Sequence, residues 1–405
     1  MSVNSLNFEQ VSTVLTSIVQ QATGQAVLTP TDTGSFVSVG QLALRADRDA
    51  VMQAISNVLT RTIFSIRPYS AKMTGLMMDT FRWGNVMRKL SIADNDWQDD
   101  PAYAWPALWD AGQTPPSGDG QSIDPWTIKK PDILQTNFYG SSVYYDQMTI
   151  FEDQLETAFT GPEQLSSFLA LIMNNLSDRM EQSNEGLRRG LVANAIASVI
   201  DEGSTDRIVH LLTEYNAAIG ASPALTIQDI MNPANFGAFM KWAYARVAHI
   251  SALMTERSTM FQTIINSKPV MRHTPLQDQR VYLYAPARFN LDARVLADTY
   301  HDNYLRYSDV ETVNYWQSIA APDQIDITPA YTDTTGVVYS PSTPVSQSYV
   351  FGIIFDRDAM GMTTLDNRII SSPLNGKGLY RNLYLHQKRR VVMDNTEKIV
   401  VLLLD

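Results

Sequence analysis

The chain has 405 residues, 44% of them apolar, no cysteine and a formal net charge of -11 at pH 7. That length and apolar content suffice for two domains or one elaborated domain around a sizeable core, and the absence of cysteine excludes disulfides and thiolate metal sites and fits the cytosol. No stretch approaches the roughly 20 uncharged apolar residues that cross a bilayer, the opening MSVNSLNFEQ carries no basic leader, and the acidic balance argues against coating nucleic acid, which needs clustered lysine and arginine.

Residues 1–73 read as an N-terminal arm. Val11, Leu15, Ile18 and Val19 make a short amphipathic helix, Thr29-Pro30-Thr31-Asp32-Thr33-Gly34 is turn-rich, and a second helix is expected over about 46–63. An arm of this size buries little by itself and is expected to lie on something else. Strand-like patterning covers Thr74 to Ile92 and again Asp132 to Ile150, where Leu134, Phe138, Val143 and Tyr145 sit among polar residues.

Between those runs Asp94 to Trp126 holds Pro101, Pro106, Pro115, Pro116 and Pro125. Irregular segments of that length are usually functional or partner-bound. The same segment carries Trp97, Trp105, Trp109 and Trp126, four of the seven tryptophans, in a loop too short to bury them. Tryptophan is enriched at interface hot spots, so these four are candidate intermolecular contacts; the alternative is a self-packed cluster under the loop.

The clearest pattern follows. Thr160-Gly161-Pro162-Glu163 has capping-box spacing with proline in the first turn. Leu165, Leu169, Ile172, Leu176, Met180, Leu187, Leu191 and Val199 then recur at helical spacing. One helix of about 40 residues would span about 60 Å, with Gly186 and Gly190 as places to bend. Asn232-Pro233 opens another helix to about Thr255, Val281 to Tyr284 reads as a strand, and a helix is expected from Leu291 to Tyr304. The Pro/Thr/Ser-rich stretch 321–347 reads as a hairpin or exposed loop, and strands are expected at about 380–392 and 397–404.

Signatures of catalysis are missing: there is no nucleophile elbow, phosphate-binding glycine loop, dinucleotide fingerprint or zinc-binding His-Glu-x-x-His. His210, His249, His273, His301 and His386 are too scattered to form a local site. Asp356 and Asp358 in Phe355-Asp356-Arg357-Asp358 could pair as acid and base, or with Asp366 hold calcium. A turn after the strand breaks the first geometry, and ligand density is too low for the second. The simpler reading has Asp356 or Asp358 capping the turn, with Arg357 paired to a carboxylate on a neighbouring segment or subunit. From Asn367 to Met393 the chain carries Arg368, Lys377, Arg381, Lys388, Arg389 and Arg390 and no acidic residue. This basic stretch reads as a contact with packaged nucleic acid or an acidic neighbouring subunit, or as a solvated strand edge kept soluble by charge.

The order of elements resembles that of tailed-bacteriophage major capsid proteins, an α+β class with the Hong Kong 97-like fold. Three stretches carry the likeness: Lys129-Lys130-Pro131-Asp132-Ile133-Leu134-Gln135-Thr136-Asn137-Phe138-Tyr139-Gly140, Phe355-Asp356-Arg357-Asp358-Ala359-Met360-Gly361, and Ser372-Pro373-Leu374-Asn375-Gly376-Lys377-Gly378-Leu379-Tyr380-Arg381-Asn382.

The resemblance covers most of the chain from about residue 65 onward. It implies an N-terminal arm and helix (1–73), an extended two-stranded E-loop lying over an adjacent subunit (74–150), and a peripheral-domain spine helix (151–203). A mainly axial domain (204–345) and C-terminal strands returning through both domains (346–405) complete it.

The implied function is a non-enzymatic shell protein forming hexamers and pentamers around packaged double-stranded DNA, assembled in the host bacterial cytoplasm, with no cofactor and no membrane partner. Implied partners are further copies of the chain, a portal, and scaffolding or cement proteins. No lysine–asparagine pair matches the crosslinking chemistry of some members, so no crosslinks are expected. Because the chain enters its arm quickly, any scaffolding protein is expected to be separate. The alternatives are a cellular nanocompartment shell, a carboxylate-dependent hydrolase using Asp356 or Asp358, and a sugar- or protein-binding module using Trp105 or Trp109.

Overall fold

The computed structural model describes residues 8–24, 29–46, 48–61, 72–78, 86–93, 132–286 and 310–405, with Trp126 and Lys130. Three helices open it: α1 (Phe8–Thr23), α2 (Thr33–Ala46) and α3 (Arg48–Arg61). Val11, Leu15, Ile18 and Val19 are all buried on the inner face of α1, as their spacing predicts. α2 is a departure from the expected turn-rich link. Asp32 starts this helix: its Oδ1 accepts the Ser35 N–H at 2.6 Å and its carbonyl accepts the Phe36 N–H at 3.0 Å. Hydrogen bonds from the Ser35 backbone N–H and the Ser35 hydroxyl hold the Asp32 carboxyl below its ordinary range. The opening is therefore three packed helices rather than an extended arm with one small helix and a second to follow.

β1 (Val86–Ile92) and β2 (Ile133–Tyr139) form an antiparallel ribbon with Ile92 opposite Ile133. The sequence reads β2 and the next segment as one run, but Gly140 breaks it at φ +90°, a left-handed conformation that glycine adopts without strain. β3 (Ser142–Phe151) then leaves the ribbon for another sheet. After α4 (Glu152–Ala158) comes α5 (Pro162–Glu202), a single helix of 41 residues, about 60 Å long at 1.5 Å per residue. Pro162 sits in its first turn, but Thr160 does not cap it; Gly161 holds the cap position and the Thr160 hydroxyl donates to the Thr157 carbonyl.

β4 (Ile208–His210), α6 (Leu211–Ile219), α7 (Ile227–Met231) and α8 (Pro233–Thr255) follow, α8 being capped by the Asn232 side chain on the Ala234 N–H. Next are β5 (Gln279–Tyr284) and β6 (Val310–Val313); the helix expected from Leu291 to Tyr304 lies outside the described residues. The 321–347 stretch is a pair of nested hairpins, β7 (Ile325–Ile327) with β10 (Val345–Gln347) enclosing β8 (Tyr331–Thr332) with β9 (Val338–Tyr339). The chain then runs through β11 (Val350–Asp356), β12 (Met360–Ser371), β13 (Tyr380–Met393) and β14 (Ile399–Leu403). β12 was not anticipated: Met360 to Thr363 are buried, but Asp366 to Arg368 are exposed, so no single period marks it.

Two sheets organise these elements. The five-stranded sheet has the order β4-β14-β11-β5-β6, antiparallel at its centre and parallel at both edges. Alternation along β14 sends Ile399, Val401 and Leu403 to the α5 side and Val400 and Leu402 to the α6–α8 side. Helices cover both faces, so β11 is buried at every position, which accounts for its unbroken apolar run. The second sheet, β12-β13-β3, packs one face on α1, α3 and α5 through Ile150, Leu383 and Leu385.

β11 carries a bulge between Val350 and Gly352 that turns Val350 toward α5 and Phe351 toward α8. At Gly352 a Cβ would lie 2.7 Å from the Tyr282 carbonyl oxygen and 2.7 Å from Leu283. Gly352→Ala is therefore expected to cost about 1–3 kcal/mol of stability, read as a lower urea midpoint with an unchanged slope.

Candidate assembly surfaces

A polar girdle interrupts the apolar stripe of α5. Its N-terminal half buries Leu165, Leu169, Ile172 and Leu176, and its C-terminal half buries Leu191 to Val199; between them Asn184, Glu185, Arg188 and Arg189 are also buried. Each of the charged three has a partner. Glu185 Oε1 accepts from Arg189 one turn on, at 2.7 and 2.9 Å, and its Oε2 accepts the Lys72 N–H at 3.2 Å. Arg188 donates to the Lys72 carbonyl at 3.1 Å, while Arg189 lies 3.7 Å over the Tyr315 ring and donates to the Tyr315 carbonyl. The girdle thus fixes the segment that leads into the ribbon. The Glu185–Arg189 spacing was visible in the sequence as an i,i+4 pair, but its partners at 72 and 315 had no local signal.

The ribbon itself is held to the body by charge. Lys89 Nζ reaches Asp394 Oδ2 at 2.5 Å and also pairs with Glu397, which in turn pairs with Arg272 at 2.6 Å. Arg272 also donates to Ser91 and Thr396, and Lys268 pairs with Asp132 at 3.2 Å. Burial pushes the Glu397 carboxyl up, against the pull of Lys89 and Arg272. On the opposite side of the ribbon Leu90, Ile92, Ile133 and Tyr139 are exposed, Leu90 and Ile92 at 64% each.

The 355–358 turn joins β11 to β12. Asp356 Oδ1 accepts the Asp358 N–H at 2.8 Å and Oδ2 accepts the Thr274 hydroxyl at 2.6 Å. Both of its carboxylate oxygens are committed, and Asp358 is exposed. Arg357 is exposed and donates its backbone N–H to Asp278, but its guanidinium meets no carboxylate among the described residues. No group of three or more His, Asp or Glu able to hold a metal occurs among the described residues.

The basic stretch does not form one patch. Arg381 is buried on the inner sheet face and pairs with Asp49 of α3. Arg389, also inward, donates to Ser183 and Asn184 of α5 at 3.0 Å and stacks on Tyr144, and burial holds its guanidinium below its ordinary value. Arg390 is buried and donates to the Gly140 carbonyl, and Arg368 pairs with Asp366 at 2.7 Å. Of the six cations in the stretch, Arg368 and Lys377 are exposed and Lys388 is half-buried. Period-2 alternation, which a count of charges ignores, divides them. Trp126 is 83% exposed; Trp97, Trp105 and Trp109 lie outside the described residues.

Among the described residues, charge-held extensions surround the two larger sheets. Two solved structures share the fold. A chain of the Staphylococcus phage Andhra capsid structure is 11% identical, covers 85% of this chain and 87% of its own, and superposes with a TM-score of 0.51. A chain from the structure of the head fiber and inner core protein gp22 of native bacteriophage P68 is 9% identical with the same coverage and a TM-score of 0.53. At such identities the likeness concerns the fold, an α+β phage capsid fold. The model of the Phi29-like phage major capsid protein family matches residues 15–403, and the chain belongs to that family. It is a structural capsid protein of a phage virion. No curated protein matches the sequence.

Because Lys89 carries the ribbon's main ionic contact, Lys89→Met is expected to raise amide exchange in β1 and β2 by about tenfold or more, equivalent to ~1.4 kcal/mol. Protection in β11 and β14 should be unchanged; equal loss in both places would show that Lys89 supports the whole fold.

Proposed function

We propose that the chain assembles as hexamers and pentamers into an icosahedral shell around the packaged double-stranded DNA of a tailed phage. The observation that carries the reading is family membership across residues 15–403. In this reading the excursion between 74 and 150 is the E-loop, with its ribbon spanning Val86 to Tyr139 and β3 returning to the body. α5 is the spine helix of the peripheral domain, the 204–345 region is mainly axial, and strands from 346 onward close both. Portal, scaffolding and cement proteins are further partners, and assembly takes place in the host cytoplasm. The exposed apolar side of the ribbon supports a role for neighbours, since such a surface in an isolated monomer is costly and marks a contact. No described helix is long and apolar enough to cross a membrane.

DNA contact in this reading is non-specific and weak. Arg381, Arg389 and Arg390 are engaged inside the subunit, leaving few cations for phosphate. The turn residues Asp356, Arg357 and Asp358 serve as frame, with Arg357 available to a carboxylate on another copy.

Light scattering with negative-stain microscopy of the purified chain tests the proposal. Closed shells or rings of five and six are the expected result, and a monomer at every concentration, even with the phage's other head proteins, would refute it. Trp105→Ala combined with Trp109→Ala should leave the monomer folded and reduce assembly. Shell contents distinguish a genome capsid, with excess absorbance at 260 nm, from a protein-filled nanocompartment.

A further inference from the structure

The turn between β12 and β13 holds a reactive dipeptide. Asn375-Gly376 is the only Asn-Gly step in the chain, and both residues are exposed. The base of the turn is closed twice: the Ser372 N–H donates to the Asn382 carbonyl at 2.8 Å, and the Asn382 N–H donates to the Ser372 hydroxyl at 2.9 Å. Beyond that base Asn375 is clamped through its own backbone. Its N–H donates to the Tyr380 carbonyl at 2.9 Å, and its carbonyl accepts from the Gly378 N–H at 3.2 Å and the Leu379 N–H at 2.8 Å. Leu379 closes the turn at φ +50°.

The Asn375 side chain is fixed as well. Its Oδ1 accepts the Lys377 N–H at 3.0 Å and the Gly378 N–H at 3.3 Å, and its Nδ2 donates to the Tyr380 hydroxyl at 3.0 Å. The absence of a side chain at Gly378 leaves room for the Tyr380 ring, since a Cβ there would lie 2.5 Å from it. Phe151 meets the ring edge to face, with centroids 6.1 Å apart. The Gly376 N–H, by contrast, donates to no group among the described residues. A main-chain nitrogen free to lose its proton therefore follows a side-chain amide whose oxygen already faces two N–H donors. Such donors stabilise an oxyanion as it develops, and a side chain already fixed gives up less freedom on closing a ring.

We propose that Asn375 converts spontaneously, in the folded protein, to aspartate and isoaspartate through a cyclic imide with Gly376. The Gly376 nitrogen loses its proton to hydroxide, and its electron pair forms a bond to Asn375 Cγ. Charge moves onto Oδ1, where the Lys377 and Gly378 N–H groups meet it. The Cγ–Nδ2 bond then breaks, and Nδ2 leaves as ammonia with a proton from the Tyr380 hydroxyl, which water restores. Water opens the imide at Cγ to give aspartate, or at the main-chain carbonyl to give isoaspartate, so one water is consumed and one ammonia released. Either product places a negative charge beside Lys377. Isoaspartate also lengthens the main chain within the turn, where the Asn375 N–H meets the Tyr380 carbonyl. The turn is thus a slow chemical clock on the subunit, independent of the shell reading.

Peptide mass spectrometry of the full-length chain, aged at mildly alkaline pH, tests the proposal. The peptide ending at Lys377 is expected to gain about one dalton and to separate into aspartate and isoaspartate forms. Conversion about tenfold faster in the folded chain than in the same chain held in urea is expected, a small share of what paired oxyanion donors supply in enzymes. Gly376→Ala should suppress the gain with the fold intact, because an added Cβ meets nothing within 4 Å and the position lies outside the left-handed region. Tyr380→Phe should slow conversion in the folded chain and leave it unchanged in urea. Conversion no faster folded than in urea, or equal conversion in Gly376→Ala, overturns the proposal.

Discussion

One helix serves two hydrophobic cores. The N-terminal half of α5 is enclosed by α1, α3 and the β12-β13-β3 sheet, and its C-terminal half lies against the five-stranded sheet. A side-chain stripe that stayed apolar throughout would satisfy both cores and leave nothing to fix what lies between them. The buried Asn184, Glu185, Arg188 and Arg189 fill that interval and draw in the backbone at Lys72, the Tyr315 loop and, through Arg389, the strand β13. A buried charge is costly unless it is paired or hydrogen-bonded, and each charged residue of the girdle has such a partner, so the girdle defines the relative placement of three chain segments far apart in sequence.

The same principle recurs elsewhere. Arg207, fully buried, spans Glu202 at the end of α5, Thr263 and the Ile399 carbonyl, and burial lowers its pKa. Lys398 is also fully buried, donates to the Glu256 carbonyl and Ser258, and has its pKa lowered by burial. Without sulfur staples, the chain joins its layers through such cations rather than through covalent links. Apolar packing builds each layer, and specific polar contacts set the layers against one another.

What was legible in the sequence follows from the range of the interaction responsible. α5 and α8 were readable because a 3.6-residue stripe and a proline in the first turn are local, and β11 because burial on both faces leaves an uninterrupted apolar run. α2 was obscured because Asp32 and Thr33 look alike at a turn and at a helix start. The separation of β3 from β2 depends on Gly140 and on pairing with a strand more than 200 residues later. The charged contacts were least visible: Lys89 and Glu397 come together only through tertiary structure, and Arg389 and Arg390, adjacent in sequence, point to different partners because β13 alternates. Tryptophan content marks 94–126 in the sequence, whereas the pairing of Tyr145 with His386 and of Phe151 with Tyr380 depends on strand register alone.

The position of β14 sets a schedule for folding. It lies between β4 and β11, so the five-stranded sheet joins residues near 208 to residues near 401 across its middle. Contacts of such long sequence separation form slowly, because loop-closure entropy must be overcome before they become favourable. During synthesis at roughly 5–20 residues per second, α5 is complete many seconds before residues 399–403 leave the ribosome, and its C-terminal apolar stripe waits for them. A nascent subunit consequently cannot finish its central core early, and chaperones have their longest opportunity to bind in the interval between the emergence of α5 and that of β14.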